Sequence, residues 1–227
     1  MNSAIEKETF QLQNFAEKAL EESVFFNDLK AGSLSLSVLG KVFNQYYWWR
    51  NSFHQWFGLC ILNTPSFGTD LSVGYVLKEL AEHIQEEIRG DHHGLCVAFL
   101  NEIGIKHPAC EPIIATTRNY CDSFINRFAD TRLEPELSLS ALAGRELVTP
   151  KRNRIIIDSL NGKYKIKNRI EFLEIHEELE VEHFEGLWDV LINTYHADAG
   201  KIRRSAEIEI LNHVHFWDEV YKAIISD

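Results

Sequence analysis

Apolar residues recur at helical spacing along most of this chain, and glycine and proline rarely interrupt them. This periodicity predicts helices at residues 3–22, 35–62, 70–88, 91–104, 109–129, 136–147, 151–161, 167–197 and 200–225. Turn signals separate them at Gly32-Ser33, Gly90-Asp91 and Asn161-Gly162, with a helix start at Thr69 or Asp70. Because no segment combines strand-like alternation with hairpin turns, the pattern predicts an all-α protein.

Length and composition are those of one globular domain. The 227 residues are 45% hydrophobic and 25% charged, without a repeat or linker, so we expect a single domain over residues 1–227. The formal net charge of -11 disfavours nucleic-acid binding, because phosphate contacts need clustered Lys and Arg. No apolar run approaches the roughly 20 residues that span a bilayer, and the N-terminus lacks a signal-peptide pattern. We expect a cytoplasmic protein that binds a small molecule, not nucleic acid or membrane.

One stretch spaces histidine and glutamate in a way that suits a metal. His176, Glu180 and His183 stand at i, i+4 and i+7, which places them in a narrow stripe on one helix face. Imidazole with carboxylate suits iron, manganese or zinc, and the absence of a thiolate disfavours structural zinc. The alternative is a solvated acidic face, because the same segment contains several other glutamates.

A second cluster offers a further carboxylate and imidazole. Glu86 and His93 are seven positions apart, about two helical turns, but their neighbours Glu87 and His92 are obvious rivals. Periodicity alone leaves that choice open. Glu146 lies among small apolar residues, where a carboxylate is costly to bury unless it is paired or binds metal. An ordinary glutamate near a helix end is the alternative for Glu146.

The three pieces EEIRGDHH, ELVTP and HEELEVEH resemble, in this order, the pattern of the heme-oxygenase-like diiron oxidases, a branch of the heme oxygenase/TenA/PqqC fold. That family has a Glu followed by a His, a lone Glu shortly before a proline, and then H-x3-D-x2-H. The segment GSLSLSVLGKVFNQYYWW also resembles the fold's second-helix entry, so the resemblance covers about residues 25–190. It implies a single-domain helical bundle of about seven to nine helices.

The resemblance implies a dimetal site with six ligands: Glu86, His93, Glu146, His176, Glu180 and His183. It thereby selects Glu86 and His93 over their rivals. One metal would bind Glu86 and His93, the other would bind His176 and His183, and the remaining carboxylates would complete the shells. The family usually has Asp where this chain has Glu180, but glutamate is still a hard oxygen donor.

The implied cofactors are two iron ions, with dioxygen as co-substrate and with Glu86, Glu146 and Glu180 as the catalytic carboxylates. The implied reaction is the oxidation of a small, amino-acid- or fatty-acid-like metabolite by hydroxylation, N-oxygenation, desaturation or C–C cleavage. Tyr47, Arg50 and Arg118 are predicted substrate contacts. Three arginines could clamp a substrate carboxylate in bidentate fashion: Arg50, Arg118 and Arg127. The alternative for each arginine is a place on the surface.

Two other functions fit parts of the sequence. One is a metal-free TenA- or PqqC-like enzyme acting on a small heterocycle, in the TenA case through a cysteine nucleophile. The other is a non-catalytic helical binding protein whose histidines only pack. Since domains of this fold often dimerise, a homodimer is compatible with either.

Overall fold

The computed structural model describes residues 3–65, 73–128 and 134–226, with side chains from residue 6 onward. Within these ranges every regular element is helical, so the all-α prediction is confirmed. The α-helices are α1 (Ser3–Glu22), α2 (Val24–Ala31), α3 (Leu36–Arg50), α4 (Phe53–Asn63), α5 (Val73–Arg89), α6 (His92–Glu102), α7 (Ala115–Asp122), α8 (Phe124–Phe128), α9 (Pro135–Ser159), α10 (Glu171–Asp189) and α11 (Ala199–Ser226). The predicted start at Thr69 or Asp70 lies outside the described residues. No helix in the described ranges is both long enough and apolar enough to cross a membrane.

Several helix boundaries differ from the predicted ones. The sequence pattern missed α2, which is only eight residues long and is delimited by the capping side chain of Ser23 and by Gly32 at φ 73°. The predicted helix 35–62 is divided into α3 and α4 at Asn51 and Ser52. There the Ser52 hydroxyl donates to the carbonyl of Trp48 (3.3 Å). The predicted helix 109–129 is likewise divided into α7 and α8.

Helix α9 runs through Pro150, where the sequence pattern predicted a break between two helices. Proline has no N–H, so the carbonyl of Glu146, four residues earlier, has no helical donor from position 150. The cost is offset by burial, since α9 is packed between α10 and α11 and is buried along most of its length. The central helix of the bundle therefore carries Glu146 just before a proline.

A glycine allows the closest approach in the core. A Cβ atom on Gly144 in α9 would lie only 2.5 Å from the carbonyl oxygen of Ala206 in α11. Real side chains do not tolerate that distance, so the two helix backbones can meet here only because residue 144 has no side chain. This contact fixes the position of α9, and hence of Glu146 two residues later.

The break between α5 and α6 determines which residues face the bundle interior. Asp91 has φ 48° and caps α6 by accepting a hydrogen bond from the backbone N–H of Gly94 (3.2 Å). Because the chain leaves helical geometry here, the face of α5 does not continue into α6. His92 becomes buried and His93 exposed.

Candidate metal centre

Helix α10 presents three metal-binding side chains to the bundle interior. His176, Glu180 and His183 are 5%, 6% and 5% exposed, and they lie on the face that packs against α9 and α5. Other glutamates on the same helix, such as Glu178, are exposed. Helix α10 therefore carries, on its buried side, a stripe of polar side chains of the types that bind metal ions.

The first group of candidate ligands joins three helices. The Nε2 atom of His176 lies 3.1 Å from Oε1 of Glu87, and Nδ1 of His92 lies 3.3 Å from the other carboxylate oxygen. One ligand atom from each of these three residues lies within 4.8 Å of the others. The Nδ1 atom of His176 donates to the carbonyl of Phe172 (2.7 Å), which leaves Nε2 as the ligand atom.

The second group joins α9 and α10. Glu146, Glu180 and His183 are all buried, and one ligand atom of each lies within 4.8 Å of the others. The Nδ1 atom of His183 lies 2.8 Å from Oε2 of Glu180, and its Nε2 atom lies 2.7 Å from Oε2 of Glu86. Glu86 is itself exposed and therefore borders this group from outside.

A second imidazole packs against this group. The ring of His83 stacks on that of His183 with centroids 3.8 Å apart, and its Nε2 atom lies 3.2 Å from Oε1 of Glu79. The sequence pattern did not predict a role in the site for His83 or Glu79. Their i, i+4 spacing on α5 was visible, but it is common on amphipathic helices and did not mark them.

The two groups differ in their electrostatics. Burial raises the pKa of Glu87, but hydrogen bonds with His176 and His92 and the charge of Arg50 outweigh it and hold that pKa well below its usual range. In the second group, burial and the adjacent Glu180 raise the pKa of Glu146 well above its usual range. Glu87 is therefore ionised, whereas the raised pKa of Glu146 favours its protonated form.

The carboxyl groups of the second group also shift the pKa of its histidine, His183. Burial lowers the pKa of His183, but the hydrogen bond and charge of Glu180 and the charge of Glu146 raise it to about 10. Two carboxyl groups and one imidazolium in a buried space need positive charge or protons for balance. A divalent cation would supply that charge and displace the protons of Glu146 and of the His183 imidazolium, so these residues fit a bound metal ion.

The structure brings together four of the six predicted ligands, His176, Glu180, His183 and Glu146, within the two groups. It does not bring His93 to either group. The His93 side chain is exposed, and its Nδ1 atom lies 3.2 Å from Oδ1 of Asn51.

The preference for Glu86 and His93 over Glu87 and His92 is therefore at odds with this geometry. Glu87 and His92 occupy the first group, because the backbone leaves helical geometry at Asp91. The assignment of ligands to the two metals differs as well. The resemblance gave His176 and His183 to one metal, whereas in the structure His176 lies in the first group and His183 in the second. That any of these residues binds metal stays a prediction.

The predicted substrate contacts are distributed unevenly around the site. The guanidinium of Arg50 bonds to Glu87 and lines a small central cavity of about 40 Å³ that both ligand groups border. Tyr47 is buried, and its ring lies 5.9 Å from that of His93. Arg118 is exposed on α7 and borders neither ligand group. Two arginines that the sequence analysis did not select, Arg145 and Arg152, line the cavity instead.

Comparison with known proteins identifies the family of this chain. The sequence pattern of a family described as "Iron-containing redox enzyme" matches residues 41–210, which include both ligand groups. No curated protein sequence matches the chain.

Solved structures share the fold. A domain of unknown function with a heme oxygenase-like fold from Shewanella denitrificans superposes with a TM-score of 0.72 at 15% identity, covering 94% of this chain and 90% of that one. A TenA homologue from Pseudomonas syringae gives 0.72 at 11% identity, covering 96% and 92%. A CADD-like protein of unknown function from Nostoc punctiforme gives 0.73 at 17% identity, covering 97% and 98%. The predicted heme-oxygenase-like fold is therefore confirmed.

Proposed function

This chain belongs to the family of iron-containing redox enzymes, and on that premise we propose that it is a non-haem diiron oxidase. In this proposal it binds two iron ions at the adjoining ligand groups and uses dioxygen to oxidise a small metabolite. The observation that carries the proposal is that one face of α10 serves both groups. His176 belongs to the first, and Glu180, one turn later, belongs to the second.

The donor set supports a transition metal such as iron over magnesium or calcium. The two groups together offer three imidazoles and three carboxylates, with no thiolate among them. Mixed nitrogen and oxygen ligands suit iron and manganese, whereas magnesium and calcium prefer oxygen alone. Glu87, His92 and His176 would hold one ion, and Glu146, Glu180 and His183 would hold the other.

Bound iron would supply the electrons and the coordination site for dioxygen reduction. The chain's own residues keep the ligands in place. Arg50 bonds to Glu87 and packs against the rings of Phe53 and Phe172, 5.4 and 5.6 Å from its guanidinium carbon. A buried arginine so placed fixes the carboxylate and, together with the aromatic side chains, keeps water out of the first group.

We extend the proposal to the substrate, which we expect to be amino-acid-like or fatty-acid-like. Three arginines line the central cavity beside the ligand groups: Arg50, Arg145 and Arg152. Arg152 is 1% exposed, and its protein hydrogen bonds are to neutral groups, the Asn153 side chain and His213. Such a concentration of buried positive charge favours an anionic substrate.

The principal rival is a metal-free enzyme like TenA with a cysteine nucleophile. Cys60 and Cys96 lie close enough to the site for its charges to act on them, but burial raises the pKa of each thiol to about 12. Because the thiolate is the nucleophile, both side chains are protonated and unreactive at neutral pH. The thiols near the ligand groups therefore give this rival no support.

Anaerobic loading with Fe(II), followed by metal analysis, tests the proposal. We expect about two iron ions per chain, and an absorbance change on mixing the loaded protein with oxygenated buffer. The matched control is Glu178→Gln on the exposed side of α10, which should leave iron content unchanged. Protein that remains iron-free under these conditions, with its fold intact by circular dichroism, would contradict the proposal.

A further inference from the structure

An open groove of about 710 Å³ lies between α8, the first turns of α9, and α11. Its walls combine the apolar side chains of Leu137, Ala141 and Ile208 with charged groups at the rim. A volume of this size accommodates a small metabolite, whereas the central cavity of about 40 Å³ holds little more than one water molecule. A substrate therefore has to reach the ligand groups from a neighbouring space.

The inner wall of the groove is a buried carboxylate held by two arginines. Glu209 is 1% exposed and bonds to Arg145, and its other oxygen lies 3.6 Å from the guanidinium of Arg127. Glu209 and Arg127 line the groove, whereas Arg145 lines the central cavity. The Arg145–Glu209 pair thus separates the two spaces.

This cluster has more positive than negative charge. Two guanidinium groups share one carboxylate, and three of their nitrogen atoms have no hydrogen-bond partner in the described protein: Nε and Nη1 of Arg145 and Nε of Arg127. Arg145 is almost completely buried, with the ring of Trp56 4.3 Å from its guanidinium carbon. Buried donors without acceptors are costly, and a second carboxylate would satisfy them.

We propose that this groove is the entrance for the substrate, and that Arg127 and Arg145 receive its carboxylate group. Glu209 holds the two arginines in place as an internal carboxylate, and the substrate's carboxylate binds beside it as the acceptor for the donors that Glu209 leaves without a partner. The apolar body of the substrate then lies along Leu137 and Ile208. The inference rests on the proposed function, to which it adds the route of entry and the residues that select for an anion.

Binding of small probes to the metal-free protein tests this inference. Hexanoate, hexanamide and hexylamine have similar size but differ in charge. We expect hexanoate to bind at least about tenfold more tightly than hexanamide, because a charge-assisted hydrogen bond is worth at least that factor. Hexylamine should not bind. Calorimetry gives the affinities, and quenching of tryptophan fluorescence reports occupancy beside Trp56.

Variants of the arginines identify the site. Arg127→Gln should abolish the preference for hexanoate, Arg127→Lys should retain part of it, and Glu209→Gln should strengthen hexanoate binding several-fold because a competing anion is removed. The matched control is Arg118→Gln, which removes the same charge from an exposed position on α7. Circular dichroism verifies the fold of each, and Arg127→Lys keeps the test valid if a glutamine variant unfolds.

Three outcomes would overturn the inference: hexanoate and hexanamide binding equally, Arg127→Gln retaining the preference, or Arg118→Gln losing it as well. Iron content measured on the same proteins separates this inference from the proposed function. A parent protein that binds iron but shows no preference for the carboxylate contradicts the entrance alone. One that shows the preference but binds no iron contradicts the diiron oxidase alone.

Discussion

The Nε2 atom of His176 lies 3.1 Å from Oε1 of Glu87, although the two residues are 89 positions apart in the chain. This contact links α10 to the end of α5 and, with His92, forms the first ligand group. It also marks where the geometry differs from the family resemblance, which selected Glu86 and His93.

Adjacent histidines in α6 provide a matched pair of variants. His92→Ala should reduce the iron content from about two ions to about one per chain, because the first group loses an imidazole. His93→Ala should leave the iron content unchanged, because that side chain is exposed and contacts Asn51. Metal analysis after anaerobic loading measures both. The opposite result would restore the ligand assignment implied by the sequence resemblance.

The paired carboxylates in the second group should destabilise the metal-free protein. Glu146→Gln should raise the free energy of unfolding of the metal-free protein by about 1–2 kcal/mol, since Glu146, whose pKa is raised by burial and by Glu180, has to take up a proton on folding and glutamine does not. The same variant should lose the stabilisation that Fe(II) gives to the parent. Urea denaturation with and without Fe(II) measures both effects. If Fe(II) stabilises Glu146→Gln as much as the parent, Glu146 is not a ligand.

His213 should make the protein sensitive to acid. Burial, followed by the charges of Arg152, Arg145 and Arg127, holds the pKa of His213 well below its usual range, so it stays neutral when folded. The unfolded chain binds a proton there below about pH 6.5, so this contribution to stability is present above that pH and is lost as the pH falls. The loss between pH 7 and pH 5 should be about 2 kcal/mol.

Denaturation at the two pH values tests that prediction. His213→Gln keeps an acceptor for Arg152, and it should show about 2 kcal/mol less acid destabilisation than the parent. His215→Gln, on the exposed side of the same helix, is the matched control and should behave like the parent. An unchanged pH dependence in His213→Gln would mean that the imidazole is protonated in the folded protein.

Two helical glycines should respond to alanine in opposite directions. Gly144→Ala should cost about 1–3 kcal/mol or more, because the new Cβ would meet the backbone of Ala206. Gly58→Ala should stabilise the protein by about 0.5–1 kcal/mol, because alanine favours the helix and, outside the adjoining backbone of α4, the described residues place no atom within 4 Å of the new Cβ. Thermal or urea unfolding measures both. A neutral Gly144→Ala would mean that α9 and α11 can separate without cost.

The sequence by itself determined the helical fold and part of the candidate site. His176, Glu180 and His183 lie on one uninterrupted helix, and there the spacing of residues fixes which side chains share a face. Glu146 is buried as well, among the small apolar neighbours that indicated close packing, although the sequence left open an ordinary glutamate near a helix end. Inferences within one helix hold because helical geometry is local and regular.

Only the tertiary structure shows which of the rival residues on α5 and α6 lie together with His176. A helical face extends only as far as the helix. Asp91 adopts a left-handed backbone conformation, which turns His92 inward, and the spacing of residues along the chain does not predict this turn. The Arg145–Glu209 pair joins residues 64 positions apart, so it too follows from how α9 and α11 meet. The sequence showed that histidine and glutamate would form the site, and helix packing determined which of these histidines and glutamates face one another.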